Sequence, residues 1–408
     1  MAEKLNVAMG RTTDGDSGQR AEAALLVLAN SLQKHSVGRI AVFSRDSATA
    51  PGTLAVGSTE MPVSRNPLVW SVLPKTSVFV WAGGEFFHDG VSVWETLLDA
   101  LRIRWPVLLG NSVMLYGVET GPISGTFTKL VARWCLSHKR LVSTVLDEQS
   151  ARALRECGVP AGRVVLAADP AFALTADTDA AMAVLRSTGV APGEPIAVIA
   201  PRGAAAKGNG FLPDGLMGML GIATDHPHDP DALAMRLAEA ADYIAARHAT
   251  RVLLIATDPG EAVQDLEMCR RILSHCTAGK MVVAPHRALA APVVKGLLES
   301  ARFIISMRLY PMTIACGAGL PFIGLCDSAA AGKCERLLHD AGMPGLLLPI
   351  LDLLADGGIE RLAGLVEHAV EHRDELSGKL RAFAAQQAKL SEASNRVLAV
   401  LIDAHGMR

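Results

Sequence analysis

The residues best placed to do chemistry follow an apolar stretch in the second half of the chain. Residues 303–306 predict a buried parallel strand, and Arg308 and Tyr310 come directly after it. Pro311 fits the first turn of a helix that Gly319 then ends. In open α/β sheets, ligands bind beyond the carboxyl ends of the strands. There Arg308 could hold a phosphate or carboxylate through two parallel hydrogen bonds, or it could pair with a nearby aspartate.

Two adjacent glycines follow another predicted strand, at residues 77–81. Gly83 and Gly84 would let the backbone approach a ligand closely, and His88 and Asp89 could then reach that ligand. The alternative is a tight turn before a helix, with His88 on the surface. The pattern favours a ligand site at this strand end.

Length and composition narrow the class of protein. The chain has 408 residues, half of them hydrophobic, which suits two α/β domains with buried strands. A formal net charge of −2 gives no overall attraction to nucleic acid or to an anionic membrane. The apolar stretch 309–326 is interrupted by Pro and Gly, so a buried strand–helix–strand is expected there instead of an integral membrane segment.

Cysteine usage and the first residues predict a cytoplasmic protein. The seven cysteines are scattered, include no C-x-x-C pair, and indicate buried thiols without a disulfide framework or a zinc site. Such usage is typical of a reducing compartment. Residues 1–6 are polar and do not resemble a signal peptide.

Predicted strands alternate with predicted helices along both halves of the chain. The sequence V-A-P-G-E at residues 190–194 is the best linker candidate. We therefore expect an N-terminal Rossmann-like domain at 1–190 and a second at 195–375, facing each other across a central cleft. Residues 376–408 form a predicted helix that could pack back on the N-terminal domain. Asp147 is expected to cap a helix within the first domain.

Several stretches, taken in chain order, resemble the polysaccharide pyruvyl transferase family. Residues 296–298, 304–310 and 319–323 are similar to its glycine-leucine helix, its strand ending in Met-Arg-Leu-His and its Gly-x-Pro-Phe turn. Further similar segments are 14–24, 81–89, 116–122, 144–150, 168–172 and the Pro201-Arg202 pair. The ordered set is more specific than any one of its motifs.

This resemblance implies a GT-B-like α/β fold and transfer of a pyruvyl group from phosphoenolpyruvate to a sugar hydroxyl, without metal or other cofactor. A donor that carries a phosphate and a carboxylate needs arginines and backbone N–H groups. The donor-binding candidates are Arg202, Arg308, Leu309, Gly83, Gly84, Asp89 and Gly121. The catalytic candidates are Tyr310, Arg308 and His88.

The sequence departs from the family at chemically central positions. Tyr310 stands in place of the family's histidine, Leu146 in place of an arginine, and Glu85 in place of a third glycine. A tyrosine with a pKa of about 10 can donate a proton but is a poor base at neutral pH. Another group would then serve as acid or base, and His138 and His286 are candidates beside His88.

Two other functions remain open on the sequence. A non-catalytic relative would bind a glycan or an acidic metabolite. A GT-B glycosyltransferase would use a nucleotide sugar, with Glu360 or Glu367 holding the ribose. The favoured hypothesis predicts a small-molecule donor, a carbohydrate acceptor and no nucleic acid, and a homodimer is compatible with it. The non-catalytic relative could instead serve as a partner subunit.

Overall fold

The computed structural model describes residues 5–11, 17–32, 37–44, 53–56, 59–64, 78–88, 93–203, 228–257, 262–327 and 331–406. The chain divides into two compact units. Unit 1 comprises Met1–Ala173, Lys207–Thr224 and Gln387–Arg408, and unit 2 comprises Leu174–Ala206 and Asp225–Gln386. Each unit is an α/β sheet flanked by helices.

Unit 1 is built on an eight-stranded sheet. Its strands are β1 (Leu5–Arg11), β2 (Val37–Ser44), β3 (Thr53–Val56), β4 (Thr59–Ser64), β5 (Val78–Ala82), β6 (Ser112–Val118), β7 (Leu141–Val145) and β8 (Val164–Leu166). Its helices include α1 (Ser17–Leu32), α2 (Val93–Leu108), α3 (Thr126–Leu136) and α4 (Glu148–Glu156). The strand order is β3-β4-β2-β1-β5-β6-β7-β8, and every neighbouring pair except β3 and β4 is parallel.

Both faces of this sheet are covered by helices. Successive side chains of its central strands point to opposite faces, so each strand contributes to two cores. Phe79 belongs to the core beneath α2, α3 and α4, whereas Val80 belongs to the core beneath α1. Leu398 and Ile402, from the end of the chain, complete the second core. This end is also held by a 2.7 Å hydrogen bond from the Tyr116 hydroxyl to Asn395.

Unit 2 is built on a six-stranded, fully parallel sheet. Its strands are β9 (Ile196–Ala200), β10 (Arg251–Leu254), β11 (Val282–Val283), β12 (Ala301–Ser306), β13 (Phe322–Cys326) and β14 (Leu347–Pro349). Its helices are α5 (Thr178–Ser187), α6 (Pro230–His248), α7 (Ala262–His275), α8 (Ala291–Glu299), α9 (Leu309–Ala318), α10 (Ala331–Asp340), α11 (Ile350–Leu354), α12 (Gly358–Glu371) and the first part of α13 (Arg373–Gly406). The order β11-β10-β9-β12-β13-β14 reverses between β9 and β12, which makes that gap the topological switch point.

The boundary between the units lies earlier than the predicted linker, between Ala173 and Leu174. Helix α5, which the sequence analysis does not predict, packs on α8 of unit 2. A side chain at Gly296 would lie 2.8 Å from the Ala181 Cβ atom, so the two helices touch closely. Lys295 on α8 also donates a 2.6 Å hydrogen bond to the Leu174 carbonyl.

The structure corrects the cysteine prediction at one place. A disulfide joins Cys326 at the end of β13 to Cys334 on α10, with Cα atoms 7.2 Å apart. The prediction of buried thiols is confirmed at four other positions, which are Cys135, Cys157, Cys269 and Cys316. Sequence spacing alone could not identify the disulfide, because pairing depends on the distance between the two cysteines in the fold.

Candidate functional site

The carboxyl edge of the unit 1 sheet gathers loops that are far apart in sequence. They follow β5, β6, β7 and β8, which are neighbours in the sheet. Because these strands are parallel, their carboxyl ends meet at one edge, where ligands bind in this class of sheet. All four loops fall in segments that carry the family resemblance.

The first two loops are joined by backbone hydrogen bonds. Phe86 N–H donates to the Glu119 carbonyl at 2.9 Å, and Glu119 N–H donates to the Gly84 carbonyl at 2.9 Å. Gly83 N–H donates to the Tyr116 carbonyl at 2.8 Å. The parallel pairing of β5 and β6 therefore continues past the strands and fixes the loop that contains the paired glycines.

The loop after β6 is fixed in turn to the start of α4. Thr120 N–H donates to the Ser150 hydroxyl at 3.1 Å, and that hydroxyl donates to the Thr120 carbonyl at 3.2 Å. The Asp147 carboxylate accepts a 2.6 Å hydrogen bond from Ser150 N–H, which confirms the predicted helix cap. Sequence reasoning missed the Thr120–Ser150 pair, because nothing in one sequence joins residues so far apart.

The backbone conformation at the paired glycines favours glycine over other residues. Gly83 and Gly84 have φ angles of 66° and 95°, which L-amino acids with side chains rarely adopt. Phe87 in the same loop has a φ of 55° although it carries a side chain. Strained backbone of this kind is concentrated at functional sites, so the loop is a candidate ligand-binding segment.

His88 and Gly121 lie against each other at this edge. A Cβ atom at Gly121 would be 2.5 Å from the His88 Cβ and 2.9 Å from a Glu85 carboxylate oxygen. An added side chain at Gly121 would therefore clash with the neighbouring loop, and two predicted site residues, His88 and Gly121, lie together. Asp89, the remaining candidate of this loop, lies outside the described residues.

The switch point of unit 2 holds the second group of candidates. Met307 N–H donates to the Ala200 carbonyl at 3.0 Å, and Arg202 N–H points to the Met307 sulfur at 3.4 Å. Arg202, after β9, is half-buried, and Arg308 follows Met307 after β12. The structure thus brings the Pro201-Arg202 pair and the Met307-Arg308 pair to the same point of the sheet.

Arg308 is buried and paired with an aspartate of α7. Its Nε and one terminal nitrogen donate to the two carboxylate oxygens of Asp265 at 3.0 and 2.7 Å, and the two side chains are 2% and 0% exposed. The same carboxylate accepts a 2.9 Å hydrogen bond from Gly203 N–H. The alternative that Arg308 pairs with an aspartate is therefore confirmed, and a role of Arg308 in holding a donor stays a prediction. Sequence reasoning missed Asp265, because an acidic residue in the first turn of a helix is common and usually solvated.

Tyr310 and Leu309 lie in the first turn of α9. Tyr310 is 2% exposed, and its role as a catalytic tyrosine stays a prediction. Leu309 is half-buried and starts the helix, while Arg308 takes the N-cap position. The predicted ends of the helix are confirmed by Pro311 in its first turn and by Gly319, whose φ of 68° closes it.

The other titratable candidates lie away from these loops or are engaged. His138 precedes β7 and so lies at the amino edge of the unit 1 sheet, opposite the glycine loop. His286 is exposed after β11. Glu367 accepts a 2.7 Å hydrogen bond from Tyr243 and pairs with Arg247 at 3.2 Å, and the Tyr243 bond lowers the pKa of Glu367. These contacts hold α12 on α6, and ribose binding by Glu367 stays a prediction.

Among the described residues, no group of three or more His, Cys, Asp or Glu side chains is arranged to hold a metal ion. A small pocket of about 80 Å³ lies at the start of β12, lined in part by Glu299, Arg373 and Arg381. It therefore lies at the amino edge of the unit 2 sheet, away from Arg202 and Arg308.

Comparison with solved structures defines the fold class. The UDP-GlcNAc 2-epimerase of Methanocaldococcus jannaschii is 12% identical, with a TM-score of 0.54 over 98% of this chain and 100% of its own. Anabaena HepE in complex with UDP is 13% identical, with a TM-score of 0.53 over 98% and 100%. The trehalose 6-phosphate synthase of Burkholderia multivorans is 10% identical, with a TM-score of 0.51 over 99% of both chains.

At such identities the likeness shows the fold alone. The predicted class is confirmed: the chain is an α/β protein of GT-B type with two Rossmann-like units. No protein-family model and no curated protein sequence matches the chain. The resemblance to polysaccharide pyruvyl transferases therefore stays a prediction.

Proposed function

We propose that the protein is a carbohydrate-active enzyme of the GT-B class that uses a nucleotide sugar. The observation that carries this proposal is the fold shared along the whole chain with proteins such as Anabaena HepE, which was solved with UDP and with UDP-glucose. The switch point between β9 and β12 is the place where the Rossmann arrangement binds nucleotides. Half-buried Arg202 lies there and is our candidate for contact with a phosphate.

The ion pair between Arg308 and Asp265 favours the use of a nucleotide sugar over pyruvyl transfer, which the sequence alone puts first. The hypothesis of pyruvyl transfer expected Arg308 and Arg202 together to hold phosphoenolpyruvate. That guanidinium already engages both oxygens of Asp265 inside unit 2. A nucleotide sugar offers a ribose, a base and a sugar as well as phosphates, so its binding depends less on a single arginine.

Pyruvyl transfer is the second candidate, and one specific observation favours it. The family-like loops of unit 1 form a continuous network through Gly84, Glu119, Thr120 and Ser150. A network of this kind at a strand edge supports a shared role for those loops. Phosphoenolpyruvate would then be held by backbone N–H groups of these loops.

Thermal unfolding with a panel of ligands separates these candidates. Ligands would include UDP, UDP-glucose, UDP-GlcNAc and phosphoenolpyruvate at millimolar concentration. A ligand at about 100 times its dissociation constant stabilises the folded state by about 2.7 kcal/mol, which is a clear shift of the melting temperature. We expect a shift with a uridine nucleotide and a smaller one in Arg202→Ala. The matched control is Arg236→Ala, on the exposed face of α6, where Arg236 pairs with Glu239.

The remaining outcomes are equally informative. A shift with phosphoenolpyruvate and none with nucleotides would replace the first proposal by the second. Binding without turnover, assayed by release of UDP or by epimerisation of the sugar, would favour a non-catalytic relative. No shift with any of these ligands would reject both proposed donors.

A further inference from the structure

Two neighbouring helices of unit 1 are apolar on their outer faces as well as on their inner ones. Helix α2 buries Ala100, Ile103 and Val107 in the core, and α3 buries Ala132 and Leu136. Ten large apolar side chains of this region are nevertheless 40–67% exposed, namely Val93, Trp94, Leu98, Leu101, Trp105, Leu108, Leu109, Phe127, Leu130 and Trp134. A helix that faces water normally carries polar residues on that side.

These side chains form one continuous surface. On α2 they recur every three or four residues, from Trp94 to Leu108, and on α3 they recur likewise, from Phe127 to Trp134. The Arg104 guanidinium of α2 lies 5.0 Å from the centre of the Trp134 ring of α3 and so joins the two stripes. We call the exposed apolar side chains of α2 and α3 the tryptophan face.

A contiguous apolar surface with three tryptophans is a binding surface in most proteins. Isolated exposed leucines are ordinary, but large patches mark contact with a protein or a membrane. Tryptophan is suited to the boundary of a lipid bilayer, because its ring is apolar and its N–H is polar.

Charge around the tryptophan face decides between these occupants. Residues 93–109 and 126–140 contain six Lys and Arg residues but two carboxylates. One of these carboxylates, Asp99, is paired with Arg102 at 2.8 Å. Burial lowers the pKa of His138 beside α3, and four neighbouring cations lower it further. The segments that carry the face therefore have a surplus of positive charge, although the net charge of the whole chain is −2.

A second copy of the chain would place like charges opposite each other. In a twofold dimer each patch meets the same patch of its partner, so the surplus Lys and Arg residues would repel. An anionic bilayer matches the face in both respects, since it accepts the apolar side chains and attracts the cations. No helix among the described residues is long and apolar enough to cross a membrane. We propose that the tryptophan face docks the protein peripherally on an anionic lipid surface.

Vesicle flotation with the full chain tests this proposal. Vesicles of phosphatidylcholine with about 30% phosphatidylglycerol should bind the protein and shift its tryptophan emission to the blue. The triple variant W94Q/L130Q/W134Q should bind at least tenfold more weakly. The charge variant K129E/K139E should also bind more weakly and should lose most of the dependence on salt. The charge variant replaces two lysines on the surface and should therefore fold. It tests the proposal even if the triple variant fails to fold.

Matched controls lie on unit 2. Val263 and Leu351 are exposed apolar residues outside the face, so V263Q/L351Q should bind vesicles like the wild type. Equal affinity for pure phosphatidylcholine vesicles, or full binding by the triple variant, would overturn the proposal. So would a dimer in solution that the triple variant dissociates, because the face would then be a protein interface.

Discussion

Asp265 and Arg308 form a buried, bidentate ion pair that joins α7 to the turn after β12. The two hydrogen bonds are 3.0 and 2.7 Å long, and the side chains are almost inaccessible to solvent. Because Asp265 also accepts a hydrogen bond from Gly203 N–H, the pair ties the ends of β9 and β12 to one helix. The arginine therefore positions the switch point of unit 2, and Arg202 is left as the candidate for ligand contact.

Removing one partner of this pair should destabilise the protein strongly. Asp265→Ala leaves the Arg308 charge buried without its carboxylate, which typically costs about 3–5 kcal/mol. We expect a corresponding fall in the midpoint of urea unfolding. The double variant Asp265→Leu with Arg308→Met should recover much of the loss, because no unpaired charge remains buried.

The exposed pair between Arg270 and Glu267 is the control for this prediction. Its atoms are 3.1 Å apart but both side chains are at least half exposed, so Glu267→Ala should change the free energy of unfolding by less than about 1 kcal/mol. Similar losses at Asp265 and Glu267 would contradict the structural role of the buried pair.

The end of α13 should be needed for the stability of unit 1. Leu398 is fully buried in the core beneath α1, so Leu398→Ala should cost about 2–5 kcal/mol through lost burial and the cavity left behind. Val400, two residues later, is exposed, and Val400→Ala should be nearly neutral. Circular dichroism during urea unfolding measures both. Equal effects of the two substitutions would mean that this segment does not pack as described.

Much of the fold could be predicted from the sequence, because buried strands are short apolar runs between helices with clear ends. Strand β12, helix α9 and the Gly319 cap lie close to their predicted positions. The sequence analysis does not predict helix α5. It also assigns the residues after Ala173 to the first domain, whereas the structure places them in unit 2. The partner of Arg308 could not be predicted, because Asp265 is 43 residues away and only the folded sheet brings the two together.

Glu194 should make stability depend on pH. Its carboxylate accepts hydrogen bonds from Arg251 at 2.9 and 3.2 Å, and the Arg251 bond followed by the Ala191 amide holds the pKa of Glu194 below its usual value. A lowered folded-state pKa stabilises the protein at pH values above the unfolded-state pKa of about 4.3. This contribution is lost as the pH falls through the folded-state value.

Comparison with Glu194→Gln isolates that effect. At pH 7 the wild type should be more stable by about 1–2 kcal/mol, as expected for hydrogen bonds to a charged group. The difference in unfolding midpoint should shrink as the pH is lowered from 5 towards 3. A difference that stays constant over this range would show that the carboxylate charge of Glu194 does not contribute.

The disulfide between Cys326 and Cys334 can be tested by mass and by stability. The bridge closes a short loop, since the cysteines are 8 residues apart, and the entropy model gives about 2–3 kcal/mol for such a loop. Intact mass spectrometry should show a gain of about 2 Da on reduction, and reduction should lower the unfolding midpoint. Cys334→Ala should remove both changes, whereas Cys276→Ala should keep them, because Cys276 is a free thiol.

Gly121 should be irreplaceable at the carboxyl edge of unit 1. Gly121→Ala would place a Cβ atom 2.5 Å from the Cβ of His88, a contact that requires the two loops to separate. Such overpacking typically costs about 1–3 kcal/mol. Gly364 on α12 has no neighbour within 4 Å of the added Cβ, so Gly364→Ala should instead stabilise the protein by about 0.5–1 kcal/mol.

Because the loops of Gly121 and His88 belong to the candidate site, Gly121→Ala should also weaken the binding of any ligand there, while Gly364→Ala leaves the affinity for that ligand unchanged. Thermal unfolding with and without ligand measures both effects, and a neutral Gly121→Ala would mean that the two loops are not in contact.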